Sequence, residues 1–173
     1  SNQAVGGVTA ACDATVTGTD RGSETVTFEP GRRPSGSASV AVGTAGSITL
    51  LCDTLLPLSV ALDDPLTVTV TGGTDVKWSP TAAHYRTVKL PLAARFGVRG
   101  ELDVDRTGFY PVGGGKARLR VEPSTPEPAV LTDRGALRGV AVETKAAESL
   151  EEAEVADRQA QAAREALDDR DLP

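Results

Sequence analysis

With 173 residues, a formal charge of −6 and only 3% aromatic residues, the chain is long enough for a full domain, whose core must come from many small aliphatic side chains. It contains no apolar run of about 18 residues and no basic start leading into an apolar segment, so the expectation is a cytoplasmic protein without a membrane span or leader. The acid excess, Asp+Glu 24 against Lys+Arg 18 with Lys77, Lys89, Lys116 and Lys145 the only lysines, suits a high-salt cytoplasm. It does not exclude a nucleic-acid partner, because clustered cations act within a screening length of about 8 Å.

Ser1 to Cys12 reads as the tail of a small-residue helix, and Asp13 to Val16 turns to strand, so the chain is expected to begin inside an element. Glu24 to Phe28 alternates with period two as an edge strand, followed by a Gly, Pro, Arg and Ser loop through Ser39. From Thr44 to Leu62 leucines recur at helical spacing with Pro57 as a kink, and Leu66 to Thr71, LTVTVT, is a clean β alternation ending at Gly72-Gly73. A second helix is predicted over Thr81 to Phe96, interrupted by Pro91, with Tyr85, Val88, Leu92 and Phe96 on its apolar stripe. Strands at Arg99 to Asp105 and Lys116 to Val121 complete a β-α-β-α-β-β unit of α/β (α+β) class. After the proline-containing linker Glu122 to Pro128, Gly135 to Glu143 reads as a strand and Ala146 to Leu167 as a charged helix, so the chain is expected to end in a truncated unit.

Several features could carry chemistry. GGGK at Gly113 to Lys116 lacks the Ser or Thr of a Walker A loop and is followed by a strand, so no helix dipole faces the glycines and a wide hairpin is expected instead. His84, the single histidine, has no Ser or Cys three or four positions away and reads as a partly exposed helix residue. The carboxylates Glu148, Glu151, Glu152, Glu154, Asp157 and Glu165 read as a solvated helix face, and Cys12 and Cys52 as buried thiols, since no second cysteine pair gives a metal-ligand spacing. GTAGS, Gly43 to Ser47, places small residues and hydroxyls ahead of a buried helix, a start suited to anion binding by unpaired N–H groups.

Four blocks taken together, GTAGSITLLCDTLLP (Gly43 to Pro57), GGTDVKWSP (Gly72 to Pro80), RTVKLPLAARFGV (Arg86 to Val98) and RTGFYPVGGGKARLRV (Arg106 to Val121), resemble the RNA 3'-terminal phosphate cyclase family in order and spacing. The resemblance is close across Gly22 to Pro123 and weaker to Leu167. It implies β-α-β-α-β-β repeats of the translation initiation factor 3 C-terminal type, with the start of a smaller inserted domain. Residues 1–128 would hold an incomplete repeat and a complete one, and 129–173 the truncated start of the next repeat or of the inserted domain. It also implies an enzyme that uses ATP and a divalent metal, magnesium or manganese, to convert an RNA 3'-phosphate to a 2',3'-cyclic phosphate. In the family a histidine takes AMP, passes it to the RNA 3'-phosphate, and the neighbouring 2'-hydroxyl displaces it.

By resemblance the nucleotide would meet Thr44, Gly46, Ser47, Asp53 and Pro80. Asp53 stands where the family has a glutamine, which puts a carboxylate beside phosphates, and Val112 stands where a basic residue is common. Arg118 and Arg120 are the candidate RNA contacts. The nucleophilic histidine would lie beyond Pro173, and His84 is not its equivalent. The implied partners are therefore RNA with a 3'-phosphate end and the absent C-terminal half. Two other readings stand beside the enzyme fragment. One is a non-catalytic cyclase-like protein that binds RNA or a ribosome-assembly partner. The other is a degenerate gene fragment, which would expose an apolar sheet face and aggregate.

Overall fold

The structure, a computed structural model, describes residues 2–20, 22–43 and 46–168. The chain divides into two compact units, Ser1–Ala129 and Val130–Pro173. In the first unit, helix α1 (Asn2–Cys12) leads into a short antiparallel ribbon, β1 (Thr15–Thr17) with β2 (Thr27–Glu29). A four-stranded sheet follows, made of β3 (Gly36–Ala41), β4 (Leu66–Gly72), β5 (Gly100–Arg106) and β6 (Gly115–Val121) in the order β3-β4-β6-β5. β3 and β4 run parallel, joined through α2 (Ile48–Leu55) and a 3₁₀ turn (Leu56–Ala61) that holds Pro57. β6 pairs antiparallel with both β4 and β5.

The β-α-β-α-β-β order is present, but its first strand is not the expected one. Glu24 to Phe28 contributes only to the separate ribbon, whereas GSASVA at Gly36–Ala41, which begins inside the stretch read as a loop through Ser39, forms the sheet edge. Only Ala38 and Val40 of that strand pack against the core, so its alternation in sequence is faint.

One face of the sheet is apolar and covered. Leu66, Val68 and Val70 of β4, Ala117, Leu119 and Val121 of β6 and Leu102 of β5 bury against Ile48, Leu51, Cys52, Leu55 and Leu56 from α2 and its extension, and against Tyr85 and Leu90. Each such aliphatic side chain contributes about 1.5–3 kcal/mol relative to exposure. The opposite face is polar. It carries Thr67, Thr69 and Thr71, then Lys116, Arg118 and Arg120, then Glu101 and Asp103, with Arg118 facing Asp103 and Arg120 facing Glu101 in register. The open apolar face expected of a degenerate fragment is therefore not found on this sheet.

The second helical segment is continuous but irregular: α3 (Ala82–His84) passes through a π turn (Tyr85–Lys89) into α4 (Leu90–Ala94). Pro91 lacks an N–H and its ring crowds the preceding turn, and a wide turn ahead of a proline accommodates both. The extra residue per turn moves the buried side. Tyr85 and Leu90, five positions apart, face the core, while Val88 and Leu92 of the expected stripe are exposed.

In the second unit, 131–147 has no regular structure, so the strand expected at Gly135 to Glu143 is absent. No neighbouring strand pairs with it, and the Gly135 N–H instead closes a turn on Asp133 Oδ1 at 2.6 Å. A 3₁₀ turn (Glu148–Leu150) precedes α5 (Val155–Asp168), which buries no residue, as its charge pattern indicates.

Candidate functional site

Because β3, β4 and β5 share one direction, the segments leaving their carboxyl ends all emerge at the same end of the sheet. These are the turn into α2, the Gly73–Thr81 loop and the β5–β6 hairpin. Three of the four sequence blocks thus converge where open α/β sheets bind ligands. The fourth block supplies the π turn and α4.

Hydrogen bonds lace the three segments together. Gly46 accepts from the Gly73 N–H at 2.7 Å, and Gly73 accepts from the Ile48 N–H at 2.9 Å, so the start of α2 is clamped onto the end of β4. A Cβ at Gly72 would fall 2.7 Å from the Gly46 oxygen, which leaves room there for glycine alone. One residue into α2, the buried Thr49 hydroxyl donates to the Pro80 carbonyl at 2.8 Å and lies 2.9 Å from Ser47 Oγ. Thr74 ties the Gly73–Thr81 loop to the hairpin. Its Oγ1 accepts from the Gly108 N–H at 2.9 Å and donates to Asp75 Oδ2 at 2.6 Å, and its own N–H donates to the Gly108 carbonyl at 2.9 Å.

The glycines of GFYPVGGGK serve this hairpin. Gly113 and Gly114 take φ of 71° and 72°, the left-handed turn region, and a Cβ on Gly108 would sit 2.7 Å from Gly113 O and Gly115 Cα. The expected hairpin is what forms, with β5 and β6 as its arms.

The structure joins Gly46, Ser47 and Pro80 at this end, while Thr44 lies outside the described residues. The start of α2 offers fewer unpaired donors than its sequence suggests. The Ile48 N–H is held by Gly73, and the Leu50 N–H bonds Ser47 Oγ at 3.3 Å as an N-cap. Asp53 lies one turn along α2 from Thr49. Lys89, from the π turn, holds it with Nζ 2.6 Å from Oδ1, so the carboxylate is neutralised within the chain. No spacing along the chain pairs Asp53 with Lys89, because the two sit on different helical segments. Thr49 and Thr74 were equally hidden, although a hydroxyl inside an apolar helix start is the usual sign of an internal tie.

Arg118 and Arg120 are not part of this cluster. They stand on the polar sheet face, Arg118 at 3.3 Å from Asp105 and Arg120 at 2.7 Å from Glu122, with Lys116 at 3.8 Å from Asp105. His84 is exposed at the end of α3. Among the described residues no group of three or more His, Cys, Asp or Glu side chains is placed to hold a metal ion. Nor is any helix among them long and apolar enough to cross a membrane.

Beneath Asp53, Cys52 and Tyr85 are buried. Desolvation first, and then the Asp53 charge, push the Cys52 thiol from 9.0 up to about 12, and burial with the same carboxylate pushes the Tyr85 hydroxyl well above its ordinary range. Both groups are neutral when folded and ionise sooner when unfolded. Their contribution is thus complete below about pH 9 and is lost as pH rises towards 12, at about 1.4 kcal/mol per pH unit for each proton. Urea midpoints are expected to be flat to pH 9 and then to fall, less steeply in Cys52→Ala; a midpoint constant to pH 11 would contradict the buried, neutral pair. Cys12 and Cys52 should also resist a thiol reagent until the chain unfolds, since both are buried.

The RNA 3'-terminal phosphate cyclase family profile matches residues 2–163. An RNA 3'-terminal phosphate cyclase of Halobacterium salinarum is 48% identical over 171 residues, covering 92% of this chain and 50% of the relative. Cyclases of Methanopyrus kandleri, 45% identical over 120 residues, and Pseudomonas fluorescens, 41% over 128 residues, cover 69% and 74% of this chain and 34% and 37% of the relatives. The chain spans about half the length of the Halobacterium relative and less of the others. A match of that extent makes the chain a member of the RNA 3'-terminal phosphate cyclase family.

Proposed function

We propose that this chain supplies the ATP-handling loops of an RNA 3'-terminal phosphate cyclase, the ATP-dependent conversion of an RNA 3'-phosphate into a 2',3'-cyclic phosphate. The observation that carries the reading is the lacing of the α2 start, Pro80 and the hairpin at one sheet end by Thr49 and Thr74. That arrangement fixes backbone groups at one end of the sheet before any ligand arrives, which is what positioning of phosphates demands. The β-α-β-α-β-β unit supports a repeat of the translation initiation factor 3 C-terminal type.

In this reading Gly46, Ser47 and Pro80, with Thr44, line the nucleotide, and Asp53 stands at its edge. ATP would be held here through backbone groups and hydroxyls, and Ser47 Oγ and the Thr49 hydroxyl would have to share or exchange their present bonds to the Leu50 N–H and the Pro80 carbonyl. A divalent ion carried on ATP phosphates needs one or two protein carboxylates, and its chemistry would be to neutralise phosphate charge. Arg118 and Arg120 are the candidate contacts for the RNA backbone. Each must release a carboxylate first, so Arg118→Ala with Arg120→Ala is expected to lower RNA affinity only about threefold at physiological salt.

Lys89 is the control on Asp53. Two unit charges about 7 Å apart interact by roughly 2 kcal/mol at an effective dielectric of about 20, enough to weaken ATP binding strongly if Asp53 were unpaired. In titration calorimetry Lys89→Ala should weaken ATP binding about tenfold, and adding Asp53→Gln should restore it. An unchanged affinity in Lys89→Ala would separate Asp53 from the nucleotide. With His84 as its only histidine, the chain alone should form no covalent adenylate from α-labelled ATP. An acid-labile adduct would overturn that expectation.

A further inference from the structure

Trp78 is 90% exposed and takes a φ of 60°, a left-handed conformation that is costly for a bulky aromatic residue. Burial does not explain it, since the ring covers almost nothing. The surrounding loop enforces it: Ser79 Oγ donates to the Val76 carbonyl at 3.2 Å, and the Tyr110 N–H donates to the Asp75 carbonyl at 3.3 Å, so the turn is held from both sides. The backbone conformation thus presents the indole outward.

Trp78 does not stand alone. The Lys77 ammonium lies 5.9 Å from the Trp78 ring centroid and 5.0 Å from that of Tyr110, so one cation bridges two aromatic rings on neighbouring loops. Tyr110 is half exposed, and Val112, 77% exposed, extends the apolar surface along the hairpin. The group sits at the sheet end already described, with Trp78 two positions before Pro80, whose carbonyl Thr49 holds. An exposed indole beside a lysine is the composition with which proteins stack the bases of single-stranded nucleic acid while attracting its phosphates.

We infer that Trp78, with Lys77 and Tyr110, forms a stacking platform for a planar nucleobase carried next to a phosphate. The choice of ligands rests on the cyclase reading; the platform itself rests on the exposed, strained indole and its bridging lysine. The base has two sources, the nucleotide at the end of a 3'-phosphorylated RNA or the adenine of ATP. Both give the same face-to-face contact, and lysine serves the adjoining phosphate in either case.

Trp78 is the single tryptophan of the 173-residue chain, so indole emission reports on this position alone. The chain is titrated separately with a short single-stranded 3'-phosphorylated oligoribonucleotide, with ATP, and with ribose 5-phosphate, which carries phosphate and sugar but no base. Quenching by the oligoribonucleotide or by ATP, and none by ribose 5-phosphate, is expected, and the ligand that quenches names the source of the base. Trp78→Ala should weaken that ligand about 5- to 100-fold by calorimetry, with Trp78→Phe retaining most of the affinity. Lys77→Gln should reduce the salt dependence of oligoribonucleotide binding by about one phosphate contact. If the ligands bind but emission stays unchanged and Trp78→Ala binds equally well, the platform is overturned and the cyclase reading stands. Emission that shifts with protein concentration in the absence of ligand, with no further change on adding either base, overturns it in favour of self-association. Failure of both base-bearing ligands to bind at all removes the platform and the ATP-handling reading together.

Discussion

Tyr85→Ala is expected to lower the unfolding free energy of the first unit by about 3–5 kcal/mol, the range for deleting a fully buried aromatic ring. Tyr85 is the largest of the fully buried side chains and joins the π turn to α2 and the sheet. Because single domains hold only about 5–15 kcal/mol in total, this variant should lie close to unfolding. Tyr85→Phe keeps the ring and removes only the hydroxyl, which lies beside Asp53. It should cost about 1 kcal/mol or less, because Lys89 continues to hold the carboxylate. Urea denaturation of the two variants checks the order; equal losses would mean that the ring does not anchor the π turn.

The second large effect is at Thr74. Replacing it with Val preserves shape but removes the acceptor of the buried Gly108 N–H and leaves a methyl group in its place. An orphaned buried N–H costs about 1–3 kcal/mol, and the same change releases the hairpin from the Gly73–Thr81 loop. Thr74→Ser retains the hydroxyl and should lose less than half as much. Amide hydrogen exchange at Gly108 and Tyr110 separates the outcomes. Faster exchange in Thr74→Val with Thr74→Ser unchanged fits the tie, while unchanged exchange in both would remove Thr74 from that role.

The sheet shows which parts of this fold were legible. LTVTVT and the alternation of Lys116 to Val121 announce their strands because one face is buried and the other solvated, so period two is written in full. GSASVA is a strand by pairing alone: as an edge with two inward residues it needs little apolar sequence, and its glycine and serines imitate a loop. The stripe Tyr85, Val88, Leu92, Phe96 follows from 3.6 residues per turn, and the π turn that accommodates Pro91 breaks that period. Gly135 to Glu143 has the composition of a strand but lacks a partner, and no local pattern reports whether a partner exists.

The site divides in the same way. Its backbone parts, Gly46, Ser47 and Pro80, were marked by small residues and proline in recognisable blocks. What holds them, Thr49, Thr74 and Lys89, acts across elements far apart in sequence and became visible only with the fold. Trp78 lay inside a quoted block, but its exposure and backbone conformation are tertiary facts.

The proposed nucleotide site is the carboxyl end of the sheet and not its polar face. Backbone amide shift mapping of the chain on addition of ATP tests this directly. Changes are expected to concentrate in Gly46–Thr49 and Gly73–Ser79, with Lys116–Arg120 unmoved. Changes concentrated on Lys116–Arg120, with the sheet end silent, would contradict it.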